Sequence, residues 1–183
     1  MATTPVLTVA QLLRGTLDSA HETLEATMSD VSDEIANRAA PGNANPVGSC
    51  YAHAVIAEDG IVNGLIRGQA PLFASSWAGR TGTDRPMPMP GMVEGDMGEW
   101  YRTVKVDLGS CREYARAVYA DSEAFIASAD VDTLSRVVDM SFAGLGQLPL
   151  PVMFSIFVTG HLNNLCGEIS ALKGTLGLKG YPF

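Results

Sequence analysis

His161-Leu162-Asn163-Asn164-Leu165-Cys166-Gly167-Glu168-Ile169 lies on the most apolar segment of the chain, which begins near Val152. Pro151 suits the first turn of a helix, and Gly174, after Lys173, is a natural C-cap. The segment therefore reads as one long helix carrying a histidine. Three more stretches have the same signature. Thr8 is a plausible N-cap for Val9, Leu13, Leu17, Ala20, Leu24 and Met28, which recur at helical spacing. A second helix runs from Pro46, with Asn45 as its cap, to about Arg67 and repeats Cys50, His53, Ala54, Ala57, Ile61 and Leu65. A third runs from Asp107 to about Ser128, with Cys111, Tyr114, Ala115, Val118, Ser122, Phe125 and Ile126 as its inner stripe.

The connections are uneven. A short helical piece is predicted over Val31 to Arg38, before the break at Pro41-Gly42-Asn43. Gln69 to Val106 is a long crossover holding Pro71, Pro86, Pro88, Pro90 and four methionines, with helical turns near Phe73–Trp77 and Met97–Tyr101. Loops of this length are commonly functional or mobile. Its aromatic and methionine side chains either line a pocket mouth or pack the crossover down. Gly60, Gly64 and Gly68 recur every four residues, which predicts close backbone approach to a neighbouring helix. Asp130 to Met140 holds another helical turn, Ser141 to Pro149 reads as irregular, and the Gly177–Phe183 tail is expected to pack on the helices. No strand period is sustained. The prediction is an all-α four-helix bundle with a long crossover between helices two and three, in one domain over residues 1–183.

Composition limits the function classes. The chain has 183 residues, 46% of them hydrophobic and 17% charged, which is enough apolar material for one full core. A net charge of −8 disfavours nucleic acid and anionic membrane surfaces as partners. Met1–Pro5 carry no basic region ahead of an apolar run, so no signal peptide is expected. The stretch from Leu148 to Leu162 is too short to span a bilayer. Cys50, Cys111 and Cys166 are odd in number and lack CxxC spacing, which fits reduced thiols in the cytoplasm.

Bundles build their sites from inward-facing polar side chains. Helix two offers His53, followed by Glu58 and Asp59. Helix four offers His161, then Asn164 at i+3 and Glu168 at i+7. One histidine on each of two helices is the beginning of a divalent metal site, and imidazole suits zinc, nickel or iron. Equally, two histidines can be buried neutral imidazoles bonded to Glu58, Asn164 or each other. His21, on helix one between Leu17 and Leu24, either faces inward or sits at the edge of the apolar stripe, and it reads as an interfacial or surface side chain more readily than as a ligand. Phosphate-binding loops, nucleophile elbows and dinucleotide fingerprints are absent from the sequence.

Ser49-Cys50-Tyr51-Ala52-His53-Ala54-Val55-Ile56-Ala57-Glu58 resembles the corresponding helix of the DinB-like family of bundle proteins. So do His161 with Gly167-Glu168-Ile169 and the Leu178-Lys179-Gly180-Tyr181-Pro182-Phe183 ending. The resemblance implies a bundle with a long connection after helix two, commonly a homodimer. It also implies a metal site made of one histidine on helix two and an i, i+4 histidine pair on helix four. Some relatives use such a metal with a low-molecular-weight thiol in transferase or isomerase chemistry. His53 and His161 fit two of these positions, but the i+4 position is Leu165, which cannot bind a metal. Glu168, Cys50 and His21 are the candidate replacements, and Cys50, Glu58, Asn164 and Leu165 are expected around the pocket. Two functions follow. One is a non-catalytic or small-molecule-binding bundle with a degenerate pocket and no metal, or a weakly held zinc or nickel. The other is a divalent-metal-dependent thiol transferase or hydrolase-like enzyme using His53 and His161.

Overall fold

In the computed structural model, residues 6–89 and 91–183 are described. The signal-peptide reading of Met1–Pro5, and Pro90 of the crossover, lie outside them. Helix α1 spans Val9–Met28 and opens with a capping box. The Thr8 hydroxyl accepts from the Gln11 amide, and the Gln11 side chain accepts from the Thr8 amide. A short α2, Asp33–Ala36, follows within the stretch expected to be helical. Helix α3, Val47–Asp59, continues through a π-helical stretch, Gly60–Ile66. The crossover carries a 3₁₀ turn, Leu72–Ala74, and α4, Met97–Thr103. Then come α5, Leu108–Ser128, and α6, Val131–Leu134. The fourth rod is composite, made of α7 (Leu150–Phe154), a π-helical stretch (Ser155–Gly160) and α8 (His161–Thr175).

The architecture is an all-α bundle. Helix α1 packs on α5 and α8, and α3 packs on the same two, so α1 and α3 face each other across the diagonal. The consecutive long helices α1 and α3 thus lie opposite each other, while α3 and α5, which the crossover joins, are neighbours. Leu17, Leu24 and Met28 of α1 are fully buried, as their spacing predicts. Helix α3 is different. Every residue of Val47–Asp59 is buried except His53, because the crossover covers the face that would otherwise meet solvent. Among the described residues, no helix is long and apolar enough to cross a membrane.

Three local expectations are corrected. Val137–Asp139 and Gln147–Pro149 form a small antiparallel pair, β1 and β2, with Val138 opposite Leu148, where no strand was expected. Three residues per strand are too few for a period to show. Pro46 rather than Asn45 is the N-cap of α3. The Asn45 amide instead donates to Glu168 at 3.3 Å. The glycines after α3 meet the crossover, not a helix. A Cβ on Gly60 would lie 2.6 Å from the Met89 methyl, Gly64 faces Pro71, and Gly68 takes φ +64 where the rod ends. The tail does pack on the bundle. The buried Lys173 ammonium bonds the Thr27 carbonyl, Asp30 at 2.5 Å and the Gly180 carbonyl at 3.5 Å.

One further interaction holds the crossover in place. The Asp59 carboxylate, fully buried at the end of α3, accepts from the amides of Leu72 and Phe73 at 2.9 Å each. It also accepts from the Tyr114 hydroxyl at 2.6 Å and the Asn63 amide at 2.8 Å. The 3₁₀ turn is thus pinned to α3 by its own backbone donors.

Candidate functional site

His53 and His161 meet on the α3–α8 seam. Their Nε2 atoms are 3.0 Å apart and their rings stand edge to face at 81°. On the far side of the His53 ring, Nδ1 lies 3.2 Å from the Met87 sulfur. A thioether only accepts, so this contact assigns the proton of His53 to Nδ1. His53 Nε2 then carries a lone pair, and His161 Nε2–H donates to it. Tyr101, from α4, stands over His53 with ring centroids 5.3 Å apart. The seam therefore joins α3, α8 and two pieces of the crossover.

The π-helical stretch before α8 sets the aim of His161. It adds a residue to the turn and ends at Gly160, immediately before the histidine. Such stretches are frequent at functional sites. From His161 onward the helix is regular, so Leu165 lies on the same face one turn away. Leu165 is 6% exposed and belongs to the core.

The other predicted residues divide. Glu168 is exposed, and its carboxylate accepts from the Cys50 thiol at 3.5 Å and from Asn45. It lies on the same seam but does not join the two imidazoles. Asn164 faces solvent. Glu58 is not part of this seam. It is 1% exposed and bonds His21 through both carboxylate oxygens, at 2.9 and 3.1 Å, across the bundle diagonal. His21, expected either to face inward or to sit at the edge of the apolar stripe, faces inward: it is 5% exposed and stacks on Tyr119 at 3.8 Å between ring centroids. Its position between Leu17 and Leu24 on the helical wheel was the sign of burial. Within the crossover, Trp100 is buried, and Trp77 packs against Tyr114 of α5.

Burial sets the electrostatics. It pushes His53 down from its ordinary 6.5 to about 4, with the neighbouring His161 adding to the effect. Burial lowers His161 as well. Burial, then the Glu168 carboxylate, pushes the Cys50 thiol far up, so Cys50 is not a thiolate nucleophile. The histidine pair is neutral at physiological pH. The unfolded chain binds a proton at His53 near pH 6.5 that the folded chain refuses until about pH 4, so unfolding is proton-coupled across that window. The stability contributed by a neutral His53 is complete above pH 6.5 and is lost as pH falls towards 4, by about 3 kcal/mol at 1.36 kcal/mol per pKa unit. Urea titrations at pH 7 and pH 4.5 are expected to show this loss, and His53→Gln is expected to remove most of it.

The donor set can be compared with a metal centre. A catalytic zinc site needs three protein ligands and an open position. Here two imidazole nitrogens converge, Leu165 one turn beyond His161 is aliphatic, and Glu168 is turned towards Cys50 and Asn45. Among the described residues, no three His, Cys, Asp or Glu side chains gather closely enough to hold a cation. The side chains present do not fit a three-ligand centre.

A family model described as the DinB superfamily matches residues 16–163. A crystal structure of a conserved protein from Enterococcus faecalis is similar at 20% sequence identity and a TM-score of 0.66, over 92% of this chain and 99% of that one. Such a likeness extends to the fold. None of the curated proteins matches the chain.

Proposed function

The chain belongs to the DinB superfamily, and from that premise we propose that it is a small-molecule-binding bundle whose histidine pair works through hydrogen bonds and is not catalytic. One observation carries this reading. Each histidine uses the other's Nε2, at 3.0 Å, while Leu165, one turn beyond His161, offers no third ligand. The half-buried pair, beside Met87 and Tyr101, would then serve as a polar recognition point for a small ligand. A single domain, a cytoplasmic location and a homodimer, the last carried over from the family resemblance, complete the proposal.

A metal-dependent transferase or hydrolase is the second reading. It is favoured by the convergence of two Nε2 atoms, the atoms imidazole commonly offers a metal. His53 and His161 would hold zinc or nickel, and Glu168 would have to turn inward as third ligand or base. The metal would polarise a substrate or activate a thiol or water.

Elemental analysis of protein purified without a histidine tag separates the two. The wild type is expected to carry far less than one equivalent of zinc or nickel. Leu165→His, which restores the i+4 imidazole, is expected to take up about one equivalent, as a three-ligand site does. Stoichiometric metal in the wild type would sink the hydrogen-bonded reading.

A further inference from the structure

Behind Met87 the crossover encloses a cavity of about 350 Å³ against α3. Its volume lies at the small end of the range for ligand sites. Ile56 of α3 and Phe73, Met87 and Val93 of the crossover supply apolar walls, and Thr81 and Thr83 supply hydroxyls. The two hydroxyls share one hydrogen bond at 2.9 Å, so between them one donor and spare lone pairs remain. Arg85 also lines the cavity, but it lies against the Asp84 carboxylate at 3.1 Å and bonds the Thr103 hydroxyl at 3.3 Å. Its charge is matched locally, and the lining does not select a charged ligand.

Met87 belongs to both sites. It is buried, it forms part of the cavity wall, and its sulfur accepts the Nδ1–H of His53 at 3.2 Å. A thioether on three rotatable bonds repacks easily. Thioethers are also weak acceptors, so an oxygen placed there is a better partner for Nδ1–H.

We infer that the crossover cavity binds a compact uncharged molecule, with an aromatic or branched aliphatic body and one hydroxyl or carbonyl, and that Met87 is the movable partition between this ligand and His53. The inference rests on the small-molecule reading of the histidine pair. The occupant's body packs on Ile56 and Phe73. The Met87 side chain swings aside, and the occupant's oxygen replaces sulfur as acceptor of the His53 proton. The bond between the two histidines is retained, because His53 keeps its proton on Nδ1 throughout.

The test uses the full chain labelled with ¹³C at methionine methyls and ¹⁵N in histidine side chains, titrated with para-cresol. The Met87 methyl and His53 Nδ1 resonances are expected to shift together and saturate at one dissociation constant. Val93→Trp and Ile56→Phe, which fill the cavity from opposite walls, are each expected to abolish both shifts, with the His53–His161 signals unchanged. A Met87 shift without a His53 Nδ1 shift would overturn the partition. Shifts confined to the exposed Met92, or no saturable binding, would overturn the cavity as a site. Metal bound to the wild type would overturn the hydrogen-bonded pair instead, while the Met87 titration could still be read.

Discussion

Asp59→Ala is expected to destabilise the protein by about 4 kcal/mol and to free the crossover before the bundle itself opens. The carboxylate is fully buried and accepts four hydrogen bonds, two of them from backbone amides of the 3₁₀ turn. Bonds to a charged acceptor contribute roughly 1.5–3 kcal/mol each, and donors left unpaired in the interior cost a further 1–3 kcal/mol. Relief of the buried charge offsets part of that sum, which is why the estimate stays near the lower end. Relative to a total stability of about 5–15 kcal/mol, the loss is large. Amide exchange separates this mechanism from general weakening. Leu72 and Phe73 should lose protection first, and protease cleavage should concentrate in the crossover. Asp59→Asn keeps one acceptor oxygen but presents an NH₂ group to a donor, so it should recover less than half of the loss. Uniform loss of protection across α1 and α5 would show that Asp59 supports the core and does not clamp the crossover.

This clamp marks the limit of what could be read along the chain. Leu13, Leu17 and Leu24 of α1 and Cys111, Tyr114, Ala115, Val118, Ser122 and Ile126 of α5 are local patterns that the structure buries where their spacing puts them, while Phe125 of the same stripe is only partly buried. His53 and His161 could be paired because each lies on a long helix and the family resemblance puts one histidine from each of those helices at a shared site. The same logic failed for the residues that complete the seam. Met87 reaches His53 from the crossover across 34 positions, and nothing periodic marks that contact. The π-helical stretches leave no composition signal, since they arise from the packing of one rod against another. Asp59 and Glu58 are adjacent acidic residues that the sequence presents as equivalent. One turns to the crossover and the other to the bundle diagonal. Only the positions of their partners distinguish them. Helix α3 has no solvent-facing stripe, so its polar residues could not be sorted into inner and outer from periodicity.

The His21–Glu58 pair allows a sharper test, because it is a buried polar contact on the diagonal between α1 and α3, where the Tyr51 hydroxyl also donates to Glu25 at 2.7 Å. His21→Leu is expected to reduce stability by about 3–5 kcal/mol, since it leaves the Glu58 carboxylate buried without its partner. Glu58→Leu in that background is expected to restore most of the loss. Two aliphatic side chains of similar volume can fill the same space, and replacing a whole buried pair by apolar residues is often neutral or stabilising. The double-mutant cycle, measured by urea unfolding, should thus give a coupling of more than 2 kcal/mol, well outside the additive range for independent sites. Glu123 sharpens the expectation. Its carboxylate lies 3.6 Å from His21 Nδ1 but is 37% exposed, so it can relax into water when the histidine is removed. Glu123→Gln alone should change stability by less than about 1 kcal/mol, as exposed pairs do. If the single and double changes instead add, the pair is held in place by its surroundings, and stacking of His21 on Tyr119, at 3.8 Å, becomes the main contribution of His21 to stability.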